Sequence, residues 1–265
     1  MSRAYRTLLV SASDDGAAVT VTLNRPERRN AIGPEMVNEL RWALSDAATS
    51  AARAVVLTGA GKAFCAGGDF AQMTAGADQA ALPMHPDGGG DYAALLEAMM
   101  ASGTPIVAKV NGHALGGGLG LVAASTFAIA STDALLGTPE VDVGLFPMMI
   151  MAVLARLVPR RKLVSMMLLG ERLDAHDAAD LGLVHHAVPP EELDAEVAKL
   201  VETLRMKAPL AIRHGLQALH AQDGMLLGEA LPLLRDRLAA LLATDDAREG
   251  LTAFLQKRKP EWKGK

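Results

Sequence analysis

The chain has 265 residues, half of them apolar, with a formal net charge of −4 and a single cysteine. That is enough for one large domain, or a domain with an extension, around a sizeable core. The absence of a basic stripe argues against a nucleic-acid binder. Cys65 has no internal disulfide partner, no charged-then-apolar leader opens the sequence, and no apolar run is long enough to span a bilayer. A cytoplasmic protein without membrane contact is the expectation. Aromatic residues make up only 3%, so Ala, Leu, Val and the 13 Met must fill the interior.

In chain order, residues 18–23 alternate β-branched side chains and read as a strand, followed by a polar turn over 24–30 that holds Pro26. Residues 34–49 carry a helical stripe of Met36, Val37, Leu40 and Leu44, with Pro34 suited to a first turn. A second strand is expected over 53–58, then a glycine-rich loop over 59–69. The stretch 72–91, with Pro83, Pro86 and three consecutive glycines, reads as irregular, mobile and able to cover a pocket. A helix follows over 92–101, a strand over 105–110, a glycine-dense turn to Gly120 backed by a helix-competent segment, and a strand over 126–131. From Met148 onward the pattern is almost wholly helical, with stripes near 148–157, 160–168, 175–181, 191–206, 209–221, 226–243 and 245–257. An α/β-rich first half and a helical second half suggest one core with a helical extension.

Several familiar motifs fail. Gly59-Ala60-Gly61-Lys62 resembles the end of a phosphate loop, but Val56 and Ala63 stand where a glycine and a hydroxyl residue are needed. Leu121 breaks the dinucleotide fingerprint after Gly116, so a nicotinamide cofactor is unsupported. No Gly-x-Ser-x-Gly or His-Glu-x-x-His occurs, and the adjacent His185 and His186 point apart, so no metal site is expected. His176 and Asp180 would share a helix face, yet the surrounding sequence is an ordinary polar helix start.

Two strand-to-loop turns remain, 62–69 and 111–120. Both expose backbone N–H groups, and glycine lets a ligand oxygen approach them closely. Each could equally be a tight packing turn. Together they could aim two donors at one oxygen that becomes negative. Glu140 lies in a mostly apolar segment, where desolvation would raise its pKa and suit it to proton transfer. A surface carboxylate in a turn is an equal reading of the same residues.

These segments in order resemble the enoyl-CoA hydratase/isomerase (crotonase) family: Leu23-Asn24-Arg25-Pro26-Glu27 with Asn30-Ala31, residues 63–69, residues 111–118, Pro139-Glu140, Gly170-Glu171-Arg172 and Gly182-Leu183-Val184. The resemblance implies an α/β fold, a crotonase-like spiral of repeated ββα units over residues 1–200. It also implies a C-terminal helical region over 201–265 that supports a homotrimer or a dimer of trimers. An acyl-CoA thioester would be the substrate, with no further cofactor. Catalysis would fall to Glu140, with Gly68 and Gly117 supplying oxyanion N–H groups. Arg28, Ala31, Ala66, Asp69 and Phe70 would lie on the substrate and CoA path with those two glycines, although Asp69 also suits a loop anchor. Lys257, Arg258 and Lys259 sit where relatives approach CoA phosphates, or form a solvated tail.

Hydratases of this family use a second glutamate, and its position falls on Gly120. Loss of that acid favours double-bond migration with Glu140 as the sole acid/base. Acids that dienoyl-CoA isomerases carry would fall on Gly120 and Met148 and are both missing. Asp69, Asp142 and His113 are the weak candidates for a substitute. Asp142 would share Glu140's face in an extended chain, and His113 is expected to be structural. A hydratase, hydrolase or decarboxylase using a substitute acid or water, and a non-catalytic acyl-CoA-binding subunit, are the alternatives. Residues 72–91 and 146–151 would wall an apolar acyl pocket.

Overall fold

The computed structural model describes residues 3–74 and 90–265. The chain opens with an antiparallel pair, β1 (Leu8–Ala12) and β2 (Ala18–Leu23), in a register that sets Leu8 opposite Leu23. Helix α1 (Pro34–Thr49) follows and buries Met36, Val37 and Leu40, the stripe its sequence shows. Its buried Glu39 carboxylate accepts the N–H groups of Arg6 (2.7 Å) and Thr7 (2.8 Å), which fastens the start of the chain to the helix.

The chain then winds in repeated turns, each giving one strand to each of two sheets before a helix. β3 (Ala54–Gly59) and β4 (Ala63–Cys65) precede α2 (Phe70–Thr74) and α3 (Tyr92–Met100). β5 (Ile106–Val110) and β6 (His113–Leu115) precede α4 (Gly117–Ala123). β7 (Phe127–Ser131) and β8 (Leu135–Gly137) precede a 3-10 turn at Pro139–Val143 and α5 (Met148–Leu154). Helix α6 (Arg160–Leu169), β9 (Arg172–Asp174), α7 (Ala175–Asp180) and β10 (His186–Val188) complete the core.

The larger sheet has the order β1-β2-β3-β5-β7-β10 and the smaller β4-β6-β8-β9. Because β2, β3, β5, β7 and β10 run parallel, each return needs a crossover: α1 carries β2 to β3, and the later returns pass through the second sheet and a helix. This is the expected ββα repetition.

Both faces of the larger sheet are covered, which explains its continuous apolar strands. Along β3, Val55 and Leu57 enter the main core, while Ala54 and Val56 face a second cluster with Leu193, Val197 and Leu204. Those two leucines and one valine lie on α8 (Leu193–Arg205), which carries the chain through residue 200 into the C-terminal region. There α9 (Pro209–Ala221), α10 (Leu227–Leu242) and α11 (Asp245–Leu255) bury few residues and leave many leucines on the surface.

Three expectations are corrected. The loop over 59–69 contains β4, and the region beyond Met148 contains β9 and β10. Strand β1 was not anticipated, because its burial falls off after Leu8 and leaves no alternation to read. The irregular stretch expected over 72–91 begins inside α2. Residues 75–89, and with them most of the expected cover, lie outside the described residues.

Candidate active site

Asn30 ties the first two motifs together. It is fully buried and left-handed (φ 56°), a conformation asparagine tolerates. Its Oδ1 accepts the Arg25 N–H (2.9 Å), and its Nδ2 reaches the carbonyls of Ala60 (2.9 Å), Ala63 (2.8 Å) and Phe64 (3.2 Å). The 24–30 turn therefore sets the path of the chain entering and leaving β4.

Gly68 makes an isolated parallel bridge with Ile32. The Ile32 N–H donates to Gly67 (2.8 Å), and the Ile32 carbonyl accepts from Asp69 (2.8 Å). These bonds use the peptides on either side of Gly68, so its own N–H turns away from Ile32 and meets no acceptor among the described residues. Asp69 is buried and paired with Arg25 Nη1 at 2.9 Å and Arg28 Nη1 at 3.5 Å. Its carboxylate is thus directed at these arginines, and it anchors the loop through guanidinium groups more than through N–H bonds. Ala31 accepts from Arg25 (3.2 Å), Ala66 donates to Arg29 (2.9 Å), and Phe70 is exposed at the start of α2. Arg28, Ala31, Ala66, Asp69 and Phe70 all border this one loop.

The second loop is pinned by Asn111. Its Oδ1 accepts the Gly59 N–H (3.1 Å) and its Nδ2 donates to Gly61 (3.0 Å). Gly116 has φ 51° and donates to Gly137 (2.9 Å). Gly117 is the first residue of α4, so its N–H has no partner within the helix and meets none among the described residues. The two loops touch: a methyl on Gly67 would lie 3.7 Å from the Gly117 nitrogen and 3.1 Å from the Leu115 carbonyl. A methyl on Gly118 would overlap the Cys65 carbonyl, so α4 packs on β4 without side chains between. Cys65 is buried beneath that contact, and burial pushes its thiol up to about 12.

Glu140 completes the group. It lies in the 3-10 turn after Thr138, whose buried hydroxyl is fixed to the Met166 carbonyl (2.9 Å). A methyl on Gly116 would stand 2.9 Å from Glu140 Oε1 and 3.6 Å from the Gly67 Cα. Glu140 Oε2 is buried with no hydrogen-bond partner among the described residues. Burial raises the carboxyl above its ordinary value, and a backbone N–H offsets this only partly. A desolvated carboxylate with one unpartnered oxygen is costly to fold, so such a group marks a functional candidate.

Gly120 faces Tyr92 and Ile150. Any Cβ there would overlap Tyr92 Oη and Ile150 Cγ2. The Tyr92 hydroxyl donates to the Gly117 carbonyl, and burial, then Cys65 and Glu140, push its pKa well above the ordinary value. Neither Tyr92 nor Ile150 was singled out from sequence. The available signal was a tyrosine, one of two in the chain, at a helix start.

The other candidates stand apart. Because the Glu140 segment is a 3-10 turn and not extended, Asp142 does not share Glu140's face. It is exposed, and its Oδ1 would lie 3.2 Å from a methyl on Gly170. His113 Nδ1 accepts the Leu135 N–H (3.1 Å), the structural part expected of it. His176 and Asp180 are exposed on α7. Arg258 is held by Glu249 at 2.6 Å and 2.8 Å. Phe146 and Met151 pack on the core with buried Ile150, while Met148 and Met149 are exposed. No described cluster of His, Cys, Asp or Glu could hold a metal ion, and no described helix is long and apolar enough to cross a membrane.

Residues 14–265 match the family model described as enoyl-CoA hydratase/isomerase. A Thermus thermophilus protein provisionally named an enoyl-CoA hydratase is 35% identical over 250 residues, covering 94% of this chain and 98% of its own. The crystal structure of an enoyl-CoA hydratase from Mycobacterium smegmatis superposes with a TM-score of 0.87 at 33% identity, over 97% of this chain and 99% of that one. The human enoyl-CoA hydratase domain-containing protein 3 gives 0.88 at 29% identity, over 97% and 100%.

Proposed function

The chain belongs to the enoyl-CoA hydratase/isomerase family, and from that premise we propose that it shifts the double bond of an enoyl-CoA with Glu140 as its sole acid/base. The observation that carries this is the buried, unpartnered Glu140 oxygen beside the Gly116–Gly117 turn, with the neighbouring Gly120 position closed to any side chain.

A thioester carbonyl would accept from the Gly68 and Gly117 N–H groups. The Glu140 carboxylate takes a proton from C2 of a 3-enoyl thioester, and the electron pair moves onto the carbonyl oxygen. The two N–H groups stabilise the resulting dienolate, a contribution of about 3–4 kcal/mol for each such donor. Protonated Glu140 then returns the proton to C4, leaving the double bond between C2 and C3. The raised carboxyl suits this exchange, because a base with a higher pKa holds the proton it removes.

Arg28, Ala31, Ala66, Asp69 and Phe70 border the loop that would guide the acyl-CoA, which is substrate and not cofactor. We assign residues 1–200 to the binding core and residues 201–265 to assembly as a homotrimer or dimer of trimers. The lone buried thiol fits a cytoplasmic setting. The names of the relatives favour a second reading, hydration.

Incubation of the enzyme with a 3-enoyl-CoA should yield the 2-enoyl-CoA, followed by mass spectrometry that also detects 3-hydroxyacyl product. Glu140→Gln should lower the rate about 10²–10⁴-fold. A Gln variant as fast as wild type would remove Glu140 from the mechanism.

A further inference from the structure

Water addition to a 2-enoyl thioester needs what bond migration does not, namely room for a water beside C3. A second proton-handling group helps it further. Gly120 lies three residues after Gly117, on the same face of α4, and so adjoins the donor at the helix start. That place is full, since any side chain on Gly120 would overlap the Tyr92 hydroxyl and the Ile150 Cγ2. Ile150 is almost wholly buried, so the filling is fixed by the core.

Resting on the family chemistry above, we propose that Tyr92 and Ile150 are specificity-determining residues: together they occupy the volume over Gly120 and so bar water addition while leaving proton transfer by Glu140 open.

Tyr92 is polar, yet it is a poor substitute acid. Its single proton is given to the Gly117 carbonyl. Burial and the nearby Glu140 charge also keep the phenol neutral. The pair therefore presents a hydroxyl without a spare proton and an aliphatic branch that repels water. Ile150→Ala would remove three carbons, more than the about 30 Å³ that one water occupies. A water admitted there could add. Its oxygen bonds to C3 as Glu140 takes one of its protons, and the enolate collapses by receiving that proton at C2. The product is a 3-hydroxyacyl thioester and Glu140 is regenerated.

The test measures 3-hydroxyacyl-CoA formed from a 2-enoyl-CoA by full-length wild type, Tyr92→Phe, Ile150→Ala, Gly120→Glu, and the triple variant of Tyr92→Phe, Ile150→Ala and Gly120→Glu. Thermal midpoints are measured alongside. Wild type and Gly120→Glu should hydrate slowly. Ile150→Ala should gain about tenfold or more, the scale of one or two methylenes in a pocket. Gly120→Glu should add to the gain only where both Ile150 and the Tyr92 hydroxyl have been cut back, a coupling that independent sites would not show. Tyr92→Phe, which keeps the ring, should show a smaller gain in the same direction. Fast hydration by wild type, or no gain in folded Ile150→Ala and Tyr92→Phe, overturns the proposal. Failure of wild type to isomerise a 3-enoyl-CoA would instead overturn the isomerase reading, and the hydration measurements would still decide this one.

Discussion

The Glu140 carboxyl is held where its charge is disfavoured, and that has a sign that can be measured. Its folded pKa lies above the ordinary value of 4.5, chiefly through burial. Between the unfolded and folded values the native state holds the proton more tightly, so stability falls as pH rises through that window. Glu140→Gln removes this penalty. The variant should melt above wild type at neutral pH, and the gap should shrink as pH falls through the raised value toward about 4.5 and be closed below it. Thermal midpoints across a pH series check this, and a neutral-pH midpoint below wild type would contradict it. Catalysis should follow the opposite course: kcat/KM should climb as pH rises through the same elevated value, because the ionised form is the base. Activity and stability are set against each other at one side chain.

At the level of elements, the first turn of α4 is the piece on which the proposed oxyanion contact depends. Gly117 is its first residue, a position where helices accept proline because the N–H is unpaired anyway. Gly117→Pro should therefore delete a donor with little harm to the helix. We expect kcat to fall about 10²–10³-fold while the circular dichroism and thermal midpoint stay near wild type. Unchanged kcat in the folded variant would remove the Gly117 N–H from the reaction.

The long elements were legible in the sequence: the α1 stripe, the apolar runs of β3, β5 and β7, and the seven C-terminal helices all appear close to where periodicity put them. The three-residue strands β4, β6, β8, β9 and β10 were not, because three residues carry no period and their pairing is set by the neighbouring turn. The same limit governs the site. Glycine density located the two loops, but only the folded chain brings Gly67 against Gly117, or Tyr92 and Ile150 over Gly120. Asp142 shows the converse limit: an extended chain would set it on Glu140's face, but Pro139 starts a 3-10 turn.

Across the whole molecule, several large apolar side chains among the described residues stand strongly exposed. Phe254 is 81% exposed, Leu255 80%, Leu169 75% and Leu226 74%. Large contiguous apolar patches mark interaction surfaces, and the proposed assembly is a ring of identical subunits. Light scattering after size exclusion should give three or six chains of 27.7 kDa. Phe254→Asp with Leu255→Asp should shift the population toward smaller species. A monomer at micromolar concentration would rule the assembly out.

Cys65 lends the protein a built-in sentinel. Its thiol is sealed under the seam between β4 and α4, and with a pKa of about 12 it carries almost no thiolate at neutral pH. Alkylating reagents can find it only during moments when that seam parts. The sulfur's silence is thus a running record of how seldom the floor beneath the two glycine loops comes undone.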